Sequence, residues 1–340
     1  MDELLTLTRA RADFVENVLP DLLHWRRSGL QAALVTLVGV EGSSPRPIGS
    51  QMAVNEHGAW VGNITSGCAE AAIAAEAVQV LQAKKAKVQR YGNGSRYLDI
   101  KLPCGSGIDV FFDPLIPTEL LDELGTHVEA RDPVALLFGT GQNCGGSHAI
   151  EPLAIAGPHD GRKPCKLRLD GAGQVSKPYL PAVRANIAGR GPAVQALAQI
   201  SRTLGWNVVV TSPDEDTLSG VRRYADEADY IAMPDRFDPR FIDGWTASVL
   251  LFHDHEWEPP ILQTVLKAGG FYVGALGSRR THDARCAMLA DLGCEGHEIQ
   301  RIRGPIGLDI SALSPPEIAL AIAGEILASA RGRAWTPPPA

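Results

Sequence analysis

The sequence predicts an α/β protein of two domains, an N-terminal α/β domain over residues 1–176 and a C-terminal Rossmann-like doubly wound parallel sheet over 182–330. Three observations predict this. From Ala182 onward short apolar runs alternate with helical stretches, the pattern of parallel strands joined by helical crossovers. The first of those turns reads Gly189-Arg190-Gly191-Pro192, a G-x-G step followed by Pro at a helix start. And 340 residues exceed what one hydrophobic core usually organises.

In chain order, residues 2–29 read as an amphipathic helix, with Leu4, Leu5, Phe14, Val15, Val18, Leu19, Leu22 and Leu23 at helical spacing and Gly29 as its stop. Asp2, Glu3 and Glu16 break up its apolar residues, so it does not read as a secretory leader. A strand over 31–40 leads into Ser43-Ser44-Pro45-Arg46-Pro47-Ile48-Gly49. A turn of this composition bares backbone N–H groups beside the Arg46 cation, which suits a phosphate or another anion. Short strands at 51–55 and 59–64 are expected around the turn Glu56-His57-Gly58.

Thr65-Ser66-Gly67-Cys68-Ala69-Glu70 then runs into a helix over 71–83, which puts Cys68 in the first helical turn. A helix N-terminus carries partial positive charge and favours thiolate over thiol. A free cysteine is more often a small buried apolar residue. The Gly-rich approach and the helix start make Cys68 the leading candidate for a functional thiol.

Lys84-Lys85-Ala86-Lys87 reads as a solvated helix end, and residues 91–95 as a turn. Strands at 97–102 and 108–112 flank Pro103-Cys104-Gly105-Ser106-Gly107, which carries a second Gly-flanked thiol, Cys104. A helix over 119–129 and strands at 134–138 and 149–155 follow, with Cys144 and His148 in the loop between those strands and no role assigned to His148. Asp160-Gly161-Arg162-Lys163 and Asp170-Gly171-Ala172-Gly173 read as hairpin turns, with the domain boundary between 170 and 182.

The second domain opens with a strand at 183–188, a helix at 192–204 and a strand at 206–211. Asp214, Glu215 and Asp216 follow, where an acid can hold a ribose hydroxyl. Strands at 228–232, 248–252 and 271–275 are separated by helices near 239–243 and 257–268. Val194 stands where G-x-G-x-x-G has its third glycine, so the dinucleotide fingerprint is incomplete. Ligands bind such sheets at the strand ends, where His253-Asp254-His255, Gly277-Ser278-Arg279-Arg280 and Pro305-Ile306-Gly307-Leu308-Asp309 occur. The two histidines point the same way, but no third metal ligand is evident. A last helix spans 315–329, and the Pro-rich tail 331–340 is expected to be disordered.

A formal charge of −7 argues against a general nucleic-acid or anionic-membrane binder, and no apolar run reaches membrane-spanning length. Six scattered cysteines with no C-x-x-C pair point to free thiols in a reducing cytoplasm, not to a zinc knuckle or a disulfide framework.

In this order, several segments resemble the XdhC/CoxI family of xanthine dehydrogenase accessory proteins. They are Gly42-Ser43-Ser44-Pro45-Arg46-Pro47, Ser66-Gly67-Cys68-Ala69-Glu70, Cys104-Gly105-Ser106-Gly107 leading to Asp113-Pro114, and the three strand-end segments of the second domain. The resemblance implies a chaperone with no turnover chemistry of its own. It would bind and protect molybdenum cofactor, as molybdopterin or its cytosine dinucleotide form, and present it to a cysteine desulfurase for sulfuration. It would then pass it to an apo-molybdenum hydroxylase. Cys68 would contact the metal or relay sulfur, with Cys104 assisting. Ser43, Ser44, Arg46, Gly67, Gly189, Gly191, Asp214, His253, Asp254, Gly277, Ser278, Arg279, Arg280, Gly307 and Asp309 would hold the cofactor. The chain departs from the family at Ser66 and Ser106, where glycine is frequent, and at Gly189-Arg190-Gly191-Pro192 and Thr211-Ser212-Pro213-Asp214.

The alternatives are an NAD(P)-dependent oxidoreductase, resting on G-x-G alone, and a thiol-dependent transferase using Cys68. NAD(P) is not expected. A homodimer is the base-rate assembly.

Overall fold

The structure, a computed structural model, describes residues 16–95, 105–140, 147–158, 167–252 and 256–333. The chain divides into two compact units, residues 1–154 with 165–181, and residues 155–164 with 182–340.

In the first unit, α1 (Leu19–Arg27) buries Leu19, Leu22, Leu23 and Trp25 and ends ahead of Gly29, whose φ of 84° reverses the chain. The 31–40 run forms β1 (Ala32–Glu41), the centre of an antiparallel sheet ordered β3-β2-β1-β5-β4. Its partners are β2 (Gln51–Asn55), β3 (Trp60–Gly62), β4 (Lys87–Gly92) and β5 (Gly107–Asp113). Both faces of this sheet are covered, which explains the largely apolar composition of β1. Leu34 and Phe111 pack toward α1 and α3 (Thr118–Ala130), while Val35, Val110 and Phe112 pack on Ile73, Ala77 and Val80 of α2 (Glu70–Ala83). A second antiparallel sheet, ordered β7-β6-β9-β8, joins the α1 side. It comprises β6 (Val134–Gly139), β7 (His148–Pro152), β8 (Arg168–Leu169) and β9 (Gln174–Tyr179).

The second unit holds six parallel strands in the order β12-β11-β10-β13-β14-β15. They are β10 (Arg184–Gly189), β11 (Asn207–Ser212), β12 (Glu227–Tyr230), β13 (Thr246–Leu251), β14 (Tyr272–Ala275) and β15 (Ile302–Arg303). The chain winds outward from β10 in one direction, then restarts at β13 in the other. One face carries α4 (Pro192–Thr203), α5 (Glu215–Val221) and α9 (Pro315–Ala330); the other carries α6 (Glu258–Ala268) and α7 (Arg279–Asp291). A short α8 (Gly296–Ile299) precedes β15. Burial on both faces makes the central strands Val-, Ile-, Leu- and Ala-rich, the composition that predicted a parallel sheet. This is the doubly wound Rossmann-like sheet expected from the sequence.

Three elements differ from expectation. No helix forms over 239–243; a short 3₁₀ turn at Pro234–Arg236 precedes it instead. The Asp238 and Asp243 side chains accept from Arg240 N and Trp245 N, so the segment is held in side-chain-closed turns. The helix α5 (Glu215–Val221) forms where none was expected. And β4 begins at Lys87, three residues after Lys84 ends α2 at a φ of 49°, so only the first part of 84–87 is a helix end. The expected strand at 97–102 and most of the tail fall outside the described residues. No described helix is long and apolar enough to cross a membrane.

Candidate functional site

The first candidate centre is the loop between β3 and α2. Cys68 does not sit in the first helical turn: α2 starts at Glu70 with Ala69 as its N-cap, and Cys68 lies just ahead of the cap. The reason is Glu70. Its buried carboxylate accepts from Ile64 N at 3.1 Å, Thr65 N at 2.6 Å, Thr65 Oγ1 at 2.7 Å, Gly67 N at 2.8 Å and Ala69 N at 3.2 Å. These donors pull the loop back over the helix start, with Ser66 and Gly67 at φ of 61° and 101°. Glycine reaches that region without cost; serine does so with strain, offset here by the Ser66 N bond to Asn63 Oδ1 at 2.6 Å. Burial pushes the Glu70 carboxyl up, but the bonds from Thr65, Ile64 and the loop outweigh it and hold the pKa below its ordinary value.

The anion that the helix N-terminus attracts is therefore the chain's own Glu70, and the loop N–H groups turn inward to it. Cys68 is left at the outer bend of this fixed loop. Of the described cysteines, Cys68 alone is exposed; Cys286 is half-buried and Cys294 buried, and burial pushes both of their thiols up. Cys104 lies outside the described residues.

In the turn after β1, Ser43 is exposed, and Ser44 Oγ accepts from Arg46 N at 3.3 Å. The Arg46 guanidinium pairs with Glu16 at 2.7 Å, so an incoming anion would compete with an exposed carboxylate. His148, to which no role was assigned above, meets Asp113 Oδ2 through its Nε2 at 2.7 Å, and both side chains are buried. The pair ties β7 to the end of β5. An Asp immediately before Pro114 and a His in a polar strand carry no local signal that they will meet.

The second centre is the carboxyl end of the parallel sheet, where the strand order reverses between β10 and β13. Gly189 ends β10, and a Cβ there would come within 2.6 Å of Leu251 O, so only glycine lets the two strands approach. Gly191 has a φ of 88° and is the N-cap of α4. Its N–H donates to Thr217 Oγ1 at 2.8 Å, and the next residue, Pro192, has no N–H. Asp214 is the N-cap of α5: its Oδ2 accepts from Thr217 N at 2.9 Å and Thr217 Oγ1 at 2.5 Å. Those two bonds hold its carboxyl below the usual range, and the nearby Arg190 guanidinium adds to the effect.

Arg190, between the two glycines, is exposed. Its guanidinium carbon lies 5.9 Å from the Phe252 ring centroid and 5.6 Å from that of Trp257, and these two rings stack 5.6 Å apart at 18°. Beneath them Glu258 Oε2 accepts from Arg285 Nε at 3.0 Å, and Arg285 Nη2 donates to Leu276 O at 2.6 Å. Arg285 Nη1 is buried with no hydrogen-bond partner among the described residues.

Leu276 opens the next loop. Gly277 has a φ of 137°, Ser278 caps α7 by accepting from Thr281 N at 3.2 Å, and Arg279 and Arg280 are exposed in the first turn, which contains no acid. After β15, Gly307 has a φ of 98° and donates its N–H to Glu325 Oε2 at 2.7 Å, which docks the loop on α9, and Asp309 is exposed. His253, Asp254 and His255 lie outside the described residues. No group of three metal-ligating side chains occurs among the described residues. Strand topology thus gathers Gly189, Gly191, Asp214, Gly277 to Arg280 and Gly307 at one sheet edge, as the sequence implied. It adds Arg190, Phe252 and Trp257, which sequence reasoning passed over; a cation inside G-x-G was the available signal.

Comparison with known proteins follows the same division. Residues 186–326 match the family described as the XdhC Rossmann domain, and residues 25–92 match the XdhC and CoxI family. The chain is similar to the molybdenum cofactor insertion chaperone PaoD of Escherichia coli (strain K12), at 34% identity over 302 residues, 88% of this chain and 83% of that protein. It is also similar to the uncharacterized protein YqeB of the same strain, at 22% identity over 92% of this chain and 46% of that one. Among solved structures, a Bacillus halodurans protein described as a xanthine dehydrogenase shares the fold, with a TM-score of 0.74 at 22% identity, covering 94% of this chain and 98% of that one.

Proposed function

The chain belongs to the XdhC and CoxI family, and from that premise we propose that it is an accessory protein which binds molybdenum cofactor as cargo. It protects the cofactor, supports its sulfuration by a cysteine desulfurase, and delivers it to an apo-molybdenum hydroxylase of the xanthine dehydrogenase, aldehyde oxidoreductase or carbon monoxide dehydrogenase type. The similarity to PaoD supports the insertion role.

One observation carries the reading for this chain's own residues: Cys68 is an exposed thiol on a loop whose backbone is fixed from within by Glu70. Such a thiol is presented to a partner without the loop having to order on contact. The residues present fit the cargo. A soft sulfur ligand suits molybdenum, and Arg190, Arg279 and Arg280 supply positive charge at the strand ends for a phosphate. Cys68 contacts the metal or relays sulfur, and Cys104 assists. Gly277 and Ser278 shape the turn that offers the two arginines, and Ser43, Ser44 and Arg46 form a further anion seat once Arg46 leaves Glu16.

Transfer to an apo-hydroxylase tests this. Protein loaded with the cofactor is incubated with the apo-enzyme, and hydroxylase activity is followed. Wild type is expected to restore activity, and Cys68→Ser to restore it about tenfold or more slowly, the scale for losing a metal ligand or its support. Equal transfer by Cys68→Ser would return the thiol to a structural role. Failure of the wild type to transfer would remove the delivery function.

A further inference from the structure

We infer that the C-terminal unit holds the phosphate of its ligand on the Arg190 side chain, in place of the first-turn backbone and ribose-binding acid of a dinucleotide site. The inference rests on the reading above that this unit receives the phosphate-bearing end of the cargo, and it assigns the residue that does so.

A dinucleotide-binding Rossmann unit uses two devices at its first strand: backbone N–H groups of the G-x-G turn for the pyrophosphate, and an acid after the second strand for the ribose. Both are engaged within this chain. The Gly191 N–H is held by Thr217 Oγ1, and Pro192 offers none. The Asp214 carboxylate holds Thr217 through both its amide and its hydroxyl. Thr217 therefore closes the turn after β10 onto the turn after β11, and a pyrophosphate would have to displace it.

Positive charge is nevertheless present at the switch point, on a side chain. Arg190 reaches from the loop after β10 across to Phe252 and Trp257, which follow β13, so it spans the gap where the strand order reverses. Its guanidinium lies within cation–π range of both rings, at 5.9 and 5.6 Å from their centroids, and no described residue accepts a hydrogen bond from its N–H groups, which leaves those donors for a phosphate. Trp257 is held in turn: the adjacent Glu258 is bonded to Arg285, and both side chains are buried. The guanidinium is thus oriented before a ligand arrives, which lowers the ordering cost of binding.

Binding of cytidine 5′-monophosphate and of NADH to the full chain, measured by calorimetry, tests the assignment. Wild type, Arg190→Ala and Arg190→Lys are compared, with thermal melting as the check on folding. Wild type is expected to bind the monophosphate at least as tightly as NADH. Arg190→Ala should weaken it by about tenfold, and Arg190→Lys by less, because charge survives while the planar fork is lost. Unchanged binding by Arg190→Ala would overturn the assignment. So would NADH binding tenfold tighter than the monophosphate, or no binding of the monophosphate to wild type. Cofactor retention by the same wild-type protein separates the two readings. Retention without any Arg190 effect overturns the anchor alone, and an Arg190-dependent monophosphate site without retention removes the chaperone reading alone.

Discussion

Glu258→Ala is expected to lower the stability of the C-terminal unit by about 3–5 kcal/mol, the cost of stripping one partner from a buried ion pair. Glu258 and Arg285 are each 3% exposed, and Glu258 Oε2 lies 2.9 Å from Arg285 Nη2. Without the carboxylate, the guanidinium keeps Leu276 O as a partner but cannot reach water. The pair fixes the start of α6, the middle of α7 and the exit of β14, which are the supports of Trp257 and of the Gly277 loop. A denaturant titration checks the size of the loss. The double substitution Glu258→Ala with Arg285→Leu should recover a large part of it, because no buried charge then remains unpaired. A single-site loss under about 1 kcal/mol, the range of exposed pairs, would show that water reaches the pair.

Glu70→Gln is expected to cost about 2–4 kcal/mol and to disorder the Cys68 loop. A carboxylate oxygen accepts at each of the five bonds it receives, whereas an amide presents an NH₂ group on one side. That NH₂ would face either Ile64 and Thr65 N–H or Gly67 and Ala69 N–H, and the donors so opposed are left unsatisfied at about 1–3 kcal/mol each. The pH dependence has a definite sign. The folded pKa of Glu70 is depressed, so its contribution is fully present above the ordinary carboxyl range near pH ~4.3 and is lost as pH falls through the lower folded value. The stability gap between wild type and Glu70→Gln should therefore be widest near neutrality and narrow on acidification. A gap that stayed constant down to pH ~2 would mean that ionisation of Glu70 contributes nothing.

The parallel sheet was legible because its strands are buried on both faces and its crossovers are long enough to show helical spacing. Two antiparallel strands of the first unit, β4 and β9, were not. In β4, Lys87, Gln89 and Arg90 alternate with little apolar content, and in β9 Lys177 and Pro178 break the pattern. Their pairing with β5 and β6 is a tertiary fact. The helix α5 was hidden by its seven residues and by the Gly at its sixth position. Near 239–243 a helix was expected, but the Asp238 and Asp243 side chains close turns instead. The thiol loop was legible as a place and misread in detail. Composition located Cys68 between a glycine and a helix, but the helix began later because Glu70 accepts from the donors before it. A glutamate at the first helical position after Thr and Gly was the signal for that. At the switch point, G-x-G drew attention to its glycines, while the residue between them projects across the sheet.

The most direct test of the central claim is retention of molybdenum cofactor by the purified chain. The protein is titrated with cofactor released from a donor enzyme, then desalted, and bound molybdenum and pterin are quantified for wild type and Cys68→Ala. Retention by wild type with loss in Cys68→Ala is the predicted result, and it puts the thiol in contact with the cargo. Absence of molybdenum and pterin from both proteins after desalting would contradict the account.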